Sequence, residues 1–217
     1  MVNISLVTET GDMTGYVTIK ERSHFEYEDR KSVFIGEAMP VSTEVEALAF
    51  IDSVKKRYSD ARHHVYAYVL RENSIMRFSD DREPQGTAGM PVLDTIRKHA
   101  CTDTVIVVTR YFGGTLLGTG GLVRAYTSAA IGALERAEII RYDIYSSVRI
   151  PVEYSDFGRV SQTLSDLGFR TDNIAYDVGV TISGTILKSS VEDMVKNLTE
   201  LSSGRIKPEF LGEKFDY

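Results

Sequence analysis

The residues best suited to chemistry form one run, Arg110-Tyr111-Phe112-Gly113-Gly114-Thr115-Leu116-Leu117-Gly118-Thr119-Gly120-Gly121-Leu122-Val123-Arg124. Thr104 to Thr109, just before it, are apolar or β-branched and read as a buried strand. Behind it Leu122, Tyr126, Ala129, Ala130, Ala133 and Leu134 recur at helical spacing, so the last glycines fall at a helix start. A helix start offers unpaired N–H groups and the positive end of the helix dipole, and here Arg110 and Arg124 flank it. An anion fits such a cradle. The same glycines also suit a purely conformational purpose, a tight turn with close strand-to-helix packing. Both readings stand.

Two named phosphate motifs fail on inspection. The spacing of Gly113 and Gly118 matches a Walker loop, but Thr119 occupies the lysine position and Gly120 follows it. Gly118 and Gly120 begin a dinucleotide fingerprint that then meets Val123 instead of its third glycine. No cofactor is expected.

A second dense loop lies upstream, from Arg77 to Pro91, and carries Asp80, Asp81, Arg82, Glu83, Pro84, Gly86 and Thr87. Three carboxylates suit a hard cation or acid/base work. They equally suit an acidic turn neutralised by Arg77 and Arg82, and no metal-loop spacing is completed. Pro91 suits the first turn of a helix bearing Val92, Leu93 and Ile96, so both loops end at helix starts. The Glu83-Pro84 bond permits a cis isomer.

Arg62 to Leu70 reads as a strand, on which His63 and His64 face opposite sides and cannot share one metal. His64 is the candidate for the face that looks toward the loops. Histidines at 24, 63, 64 and 99 with the single Cys101 give no zinc spacing, and no metal site is expected. Cys101 follows a helix end and reads as a small packed residue, and no serine-nucleophile elbow occurs. Tyr111 and Phe112 leave a buried strand. One of them is expected to be exposed and able to stack on a base, with Arg62, Arg77, Arg82, Arg110 and Arg124 as a local arginine patch.

The elements that position these residues follow from patterning. Val33 to Val41 suggests a strand, and Thr43-x-x-Glu46 is a capping box opening a helix with Leu48, Ile51, Val54 and Tyr58. Alternation of strands and helices continues to about Ala137, which argues for a sheet with helices against one face. Beyond Glu138 a strand near Ile144 to Val152 is followed by a helix capped by Ser155 and ended by Gly168. Strands at Ile174 to Asp177 and Val180 to Leu187 come next, then a helix from Ser190 to Gly204 and a closing strand at Ile206 to Phe210. The order is βαββαβ, the ferredoxin-like signature. The chain therefore reads as α+β with domains at 1–137 and 138–217.

Its 217 residues, 42% hydrophobic, can bury a core in each of two domains. A net charge of −6 disfavours indiscriminate nucleic-acid binding while leaving room for a local basic patch. No run of 18 apolar residues occurs, and Met1-Val2-Asn3-Ile4-Ser5 lacks a basic stretch before an apolar one, so neither export nor a membrane span is expected. One cysteine makes no internal disulfide, which fits a reducing cytoplasm.

Three motifs in order, His64 to Leu70, Phe78 to Pro91, and Arg110 to Tyr126, closely resemble the Impact/YigZ family, and the overall length resembles its bacterial two-domain members. The resemblance implies a first domain of the βαβ type seen in the second domain of a ribosomal small-subunit protein. It also implies a ferredoxin-like tail similar to a domain of elongation factor G. Eukaryotic relatives regulate translation initiation by competing for an activator of an eIF2 kinase, so the expected partners are the translation machinery or a ribosome-associated protein, with RNA as a further candidate. The alternative is an enzyme or sensor binding a small phosphorylated ligand in the glycine-rich loop. At Arg82 this chain departs from the glycine expected of the family loop.

Overall fold

Thr43 opens the first long helix through the capping box that the sequence predicts: its side chain accepts from the Glu46 N–H, and the Glu46 carboxylate accepts from the Thr43 N–H at 3.2 Å. The structure, a computed structural model, describes residues 15–217, so the reading of Met1 to Ser5 lies outside it. The chain divides into two units, Tyr16–Arg141 and Tyr142–Tyr217.

In the first unit the elements run β1 (Tyr16–Ile19), β2 (Ser23–Asp29), β3 (Ser32–Pro40), α1 (Glu44–Arg57), β4 (His63–Val69), β5 (Met76–Ser79), α2 (Gly89–Lys98), β6 (Thr104–Tyr111) and α3 (Gly118–Arg136). The sheet order is β2-β3-β6-β4-β5. β3 and β4, joined through α1, both run antiparallel to β6, which lies between them. They are therefore parallel to each other in a split βαβ unit.

Helices cover both faces of this sheet, not one. Phe34, Ala38, Val65, Ala67, Ile106 and Val108 pack under α2 and α3, while Val105, Val107, Tyr68 and Leu70 pack under Phe50, Ile51 and Val54 of α1. The signal lay in Val105-Ile106-Val107-Val108, a run apolar on both faces that requires cover on both. Leu48, expected on the buried stripe of α1, is 46% exposed, and Ala47 and Phe50 take that place. Cys101 is buried, which pushes its thiol up to about 11.

The second unit follows β7 (Ile139–Val152), α4 (Tyr154–Asp166), β8 (Arg170–Tyr176), β9 (Val180–Leu187), α5 (Val191–Ser202) and β10 (Glu209–Asp216). The strands lie in the order β10-β7-β9-β8, every neighbouring pair antiparallel, which is the ferredoxin-like arrangement. Three local expectations are corrected. Glu153, not Ser155, is the N-cap residue of α4. Ser190 sits at the α5 N-cap but makes no side-chain capping bond. The closing strand starts at Glu209, because Ile206 is a core residue whose N–H donates to Ser202 Oγ at 3.0 Å.

Candidate functional site

The glycine-rich loop combines two kinds of glycine. A Cβ on Gly113 would lie 2.0 Å from the Lys31 carbonyl carbon, so this residue lets the β2–β3 turn and the end of β6 touch through their backbones. The Gly113 N–H donates to Ser32 Oγ at 3.1 Å, which fixes that contact. Gly114 and Gly118, at φ +86° and +71°, lie in open space and serve the bend of the chain. Gly118, Thr119, Gly120 and Gly121 then form the first turn of α3. Its N-cap residue, Leu117, provides no capping side chain, and the first turn carries no acidic residue. Arg124 folds back over this turn, within 3.8 Å of where a Gly120 Cβ would stand. The conformational reading accounts for Gly113, which packs, and for Gly114 and Gly118, which bend, while the α3 start stays exposed.

The acidic loop is a set of separate internal tasks. Asp80 closes the start of α2, its carboxylate accepting from the N–H groups of Gly86 at 2.9 Å, Ala88 at 3.1 Å and Gly89 at 2.8 Å. Asp81 accepts from the His64 N–H at 2.7 Å, and its carbonyl lies 2.9 Å from His63 Nδ1. Thr87 Oγ1 donates to the Pro84 carbonyl, and no peptide bond among the described residues is cis. Arg77 is not the neutralising partner expected for this turn: its guanidinium donates to the Met76 carbonyl. Arg82 donates to the Arg62 carbonyl at 2.7 Å, and its Nε reaches an Asp81 carboxylate oxygen at 3.8 Å. Among the described residues no group of three His, Cys, Asp or Glu side chains is arranged to hold a metal.

Glu83 forms the centre of a buried cluster. Its Oε1 accepts from Arg110 Nη1 at 2.6 Å and from the Tyr126 hydroxyl at 2.7 Å, with Glu83 and Arg110 side chains 4% and 8% exposed. Burial, reinforced by the Glu83 charge, holds the Tyr126 phenol far above its ordinary value. Phe34 meets Tyr126 edge-on at 5.1 Å, and the Arg110 guanidinium lies 5.5 Å from the Phe34 ring and 5.6 Å from the Phe112 ring. Arg110 is therefore an internal strut, not one jaw of an open clamp.

Of the remaining predicted site residues, His64 turns away from this cluster. It is buried with Nε2 3.0 Å from the Tyr58 carbonyl at the C-cap of α1 and Nδ1 3.8 Å from the Asp81 carboxylate, so both it and its strand neighbour His63 meet the acidic loop. Tyr111 donates to Asp60 Oδ1 at 2.7 Å, and burial and Asp60 push its phenol up to about 12. Phe112 is 56% exposed, and Tyr111 is half-buried. Arg62, Arg82 and Arg124 are exposed.

Arg82 takes φ +70°, the left-handed region in which glycine is free of strain. This is the position where the family resemblance leads one to expect glycine. Arg82→Gly is expected to raise stability by about 0.5–1 kcal/mol after loss of the exposed bond to Arg62. A rise in denaturant midpoint checks it.

Sequence reading missed Arg30 and Lys31. They form the two-residue turn between β2 and β3, both at positive φ (48° and 65°), and Lys31 is the residue that Gly113 touches. Turns of this shape favour Asn-Gly or Asp-Gly, so Arg-Lys carried no hairpin signal. Clear alternation across Ser23 to Asp29 was the cue available.

The chain is thus an α+β protein of two units, one a split βαβ sheet bearing a glycine-rich loop and an acidic loop and the other ferredoxin-like. The model of the Impact N-terminal domain matches residues 30–134, which include every predicted site residue, and a domain of unknown function, DUF1949, matches residues 150–205. The IMPACT family member YvyE of Bacillus subtilis is 36% identical over 191 residues, 88% of each chain. The IMPACT family member YigZ of Escherichia coli is 32% identical over 183 residues, 83% of this chain and 90% of that one. A crystal structure of a hypothetical protein superposes with a TM-score of 0.58 at 29% identity, covering 92% of this chain and 98% of the other. The chain belongs to the Impact family.

Proposed function

We propose that this chain is a translation-associated regulatory or binding protein that acts through protein or RNA contacts at the face around the start of α3. The observation that carries the reading is the surface itself: the uncapped first turn of α3 with Arg124 over it stands beside Phe112 and Leu116, which are 56% and 81% exposed. Apolar side chains next to a positively biased backbone suit docking onto another molecule. The buried charges of Glu83 and Arg110 nearby neutralise each other. Membership in the Impact family supports the translational setting that the resemblance to its eukaryotic members implies.

Co-sedimentation with ribosomes from the protein's own lysate at low and moderate salt tests this. The wild type is expected to sediment with ribosomes, and Arg124→Ala/Leu116→Ser, both changed at exposed positions, is expected to release it. Wild-type protein remaining in the supernatant at low salt would overturn the proposal.

A second reading, a small phosphorylated ligand held at the α3 start, is favoured by the same missing cap and by Arg124. A binder of that kind would raise the melting temperature at millimolar ligand, by the ordinary linkage of binding to folding. No shift with nucleotides or sugar phosphates would remove it.

A further inference from the structure

We infer that the partner surface of the first unit is a single strand of RNA, held by a basic rim around Phe112; the inference rests on the proposed function and names its ligand. The rim consists of Arg30, Lys31, Arg62, Arg82 and Arg124, all exposed. They converge on one end of the sheet through backbone contacts already described. Lys31 touches Gly113, next to Phe112. Arg82 is bonded to the Arg62 carbonyl, and the adjacent His63 is the cross-strand neighbour of Arg110, which underlies the Phe112 ring. Arg124 lies over Gly120, a few residues further along the same loop.

The two signs of charge are treated differently in the loops here. The acidic side chains of the Asp80–Glu83 loop are engaged within the fold: Asp80 with backbone N–H groups of the α2 start, Asp81 with the His64 N–H and Arg82, and Glu83 with Arg110 and Tyr126. The cations point outward, and neither Arg62 nor Arg124 has an ion-pair partner among the described residues. Glu28, Asp29 and Asp60 remain at the edge, the last occupied by the Tyr111 hydroxyl.

Three rim residues also occupy costly backbone. Arg30, Lys31 and Arg82 lie at φ 48°, 65° and 70°, where glycine or asparagine would sit without strain. A fold that places cations at three left-handed turn positions gives up stability to present positive charge at its loop tips. The complement of such a rim is a regularly charged anion, and a phosphodiester chain supplies one phosphate per residue.

Phe112 selects the single strand. One side of its ring has the Arg110 guanidinium 5.6 Å from the centroid, and the residue as a whole is 56% exposed. An exposed ring on a segment adjoining these cations is a platform on which an unpaired base stacks, whereas the bases of a duplex are already stacked on each other.

The test uses the full chain and a fluorescently labelled oligouridylate of about twelve nucleotides, within the span covered by known single-strand sites. Anisotropy titrations at several salt concentrations compare wild type, Arg30→Asn/Lys31→Gly, Phe112→Ala and, as a control for net charge, Lys196→Ala. The turn variant suits its backbone better than the native pair, so it is expected to melt higher while binding at least about tenfold more weakly, with a salt slope reduced by one to two. Phe112→Ala is expected to lose about 5- to 100-fold, and Lys196→Ala to bind as wild type does. No wild-type binding at low salt, or equal binding by all four proteins, would overturn the inference. Preference for duplex RNA with Phe112→Ala unchanged would do the same. Ribosome co-sedimentation of the same proteins separates the two claims. Release of the turn variant from ribosomes without any RNA binding would point to an acidic protein surface, overturning this inference and leaving the proposed function. RNA binding without ribosome association would leave this inference and overturn the other.

Discussion

Arg110→Met is expected to destabilise the protein by about 3–5 kcal/mol, the cost of leaving a buried carboxylate without its counter-ion. Glu83 has almost no exposure, and its Oε1 would retain only the Tyr126 hydroxyl. The pair itself need not be stabilising relative to a well-packed apolar core, because both charges were taken out of water to form it. Arg110→Met/Glu83→Leu is therefore expected to recover much of the loss, giving a coupling of several kcal/mol in a double-mutant cycle. Denaturant unfolding of the four proteins measures it. Additive losses would show that the two side chains act independently, contrary to their 2.6 Å contact. The same burial makes Arg110 a poor probe of function, since its loss unsettles the fold before it alters any surface.

Gly36→Ala should cost about 3 kcal/mol, at the upper end of overpacking effects. A Cβ there would stand 2.4 Å from the backbone oxygen of Ala129 and 3.3 Å from the Ala133 Cβ, so β3 and α3 could keep their register only by moving apart. Backbone cannot rotate away as a side chain would. Gly158→Ala in α4 provides the opposite sign: its Cβ meets nothing within 4 Å, and alanine there is expected to stabilise the helix by up to about 1 kcal/mol. Unfolding curves in which both substitutions moved the midpoint the same way would contradict this account of the two glycines.

Much of the fold was legible because its signals are local. The capping box at Thr43 and Glu46, the glycine that ends α4 and the ββ hairpin of β8 and β9 each depend on residues close together in sequence. What escaped depended on cross-chain facts. The β2–β3 hairpin was hidden by a turn, Arg30-Lys31, whose composition opposes its shape. The role of Arg110 was misjudged because its partner Glu83 lies 27 residues away in another loop, and two flanking arginines look alike in sequence. Adjacent His63 and His64 belong to opposite faces of their strand, yet both meet Asp81 of the acidic loop, His63 through Nδ1 at its carbonyl and His64 through its N–H and Nδ1 at its carboxylate, a convergence that spacing along one strand does not reveal. Spacing identified the loops of the candidate site; long-range pairing decided which of their charges face inward.

The position of β6 bears on how the first unit comes to exist at all. This strand, Thr104–Tyr111, fills the slot between β3 and β4, yet it is made about forty residues after β4. Until it emerges, Ser32–Pro40 and His63–Val69 each present an unsatisfied apolar edge, with nothing to join them. Loop closure over long separations slows folding, and fragments ending before Thr104 should associate with one another instead of folding. The sheet is completed from its middle, so a growing chain stays aggregation-prone until nearly the whole unit has been synthesised.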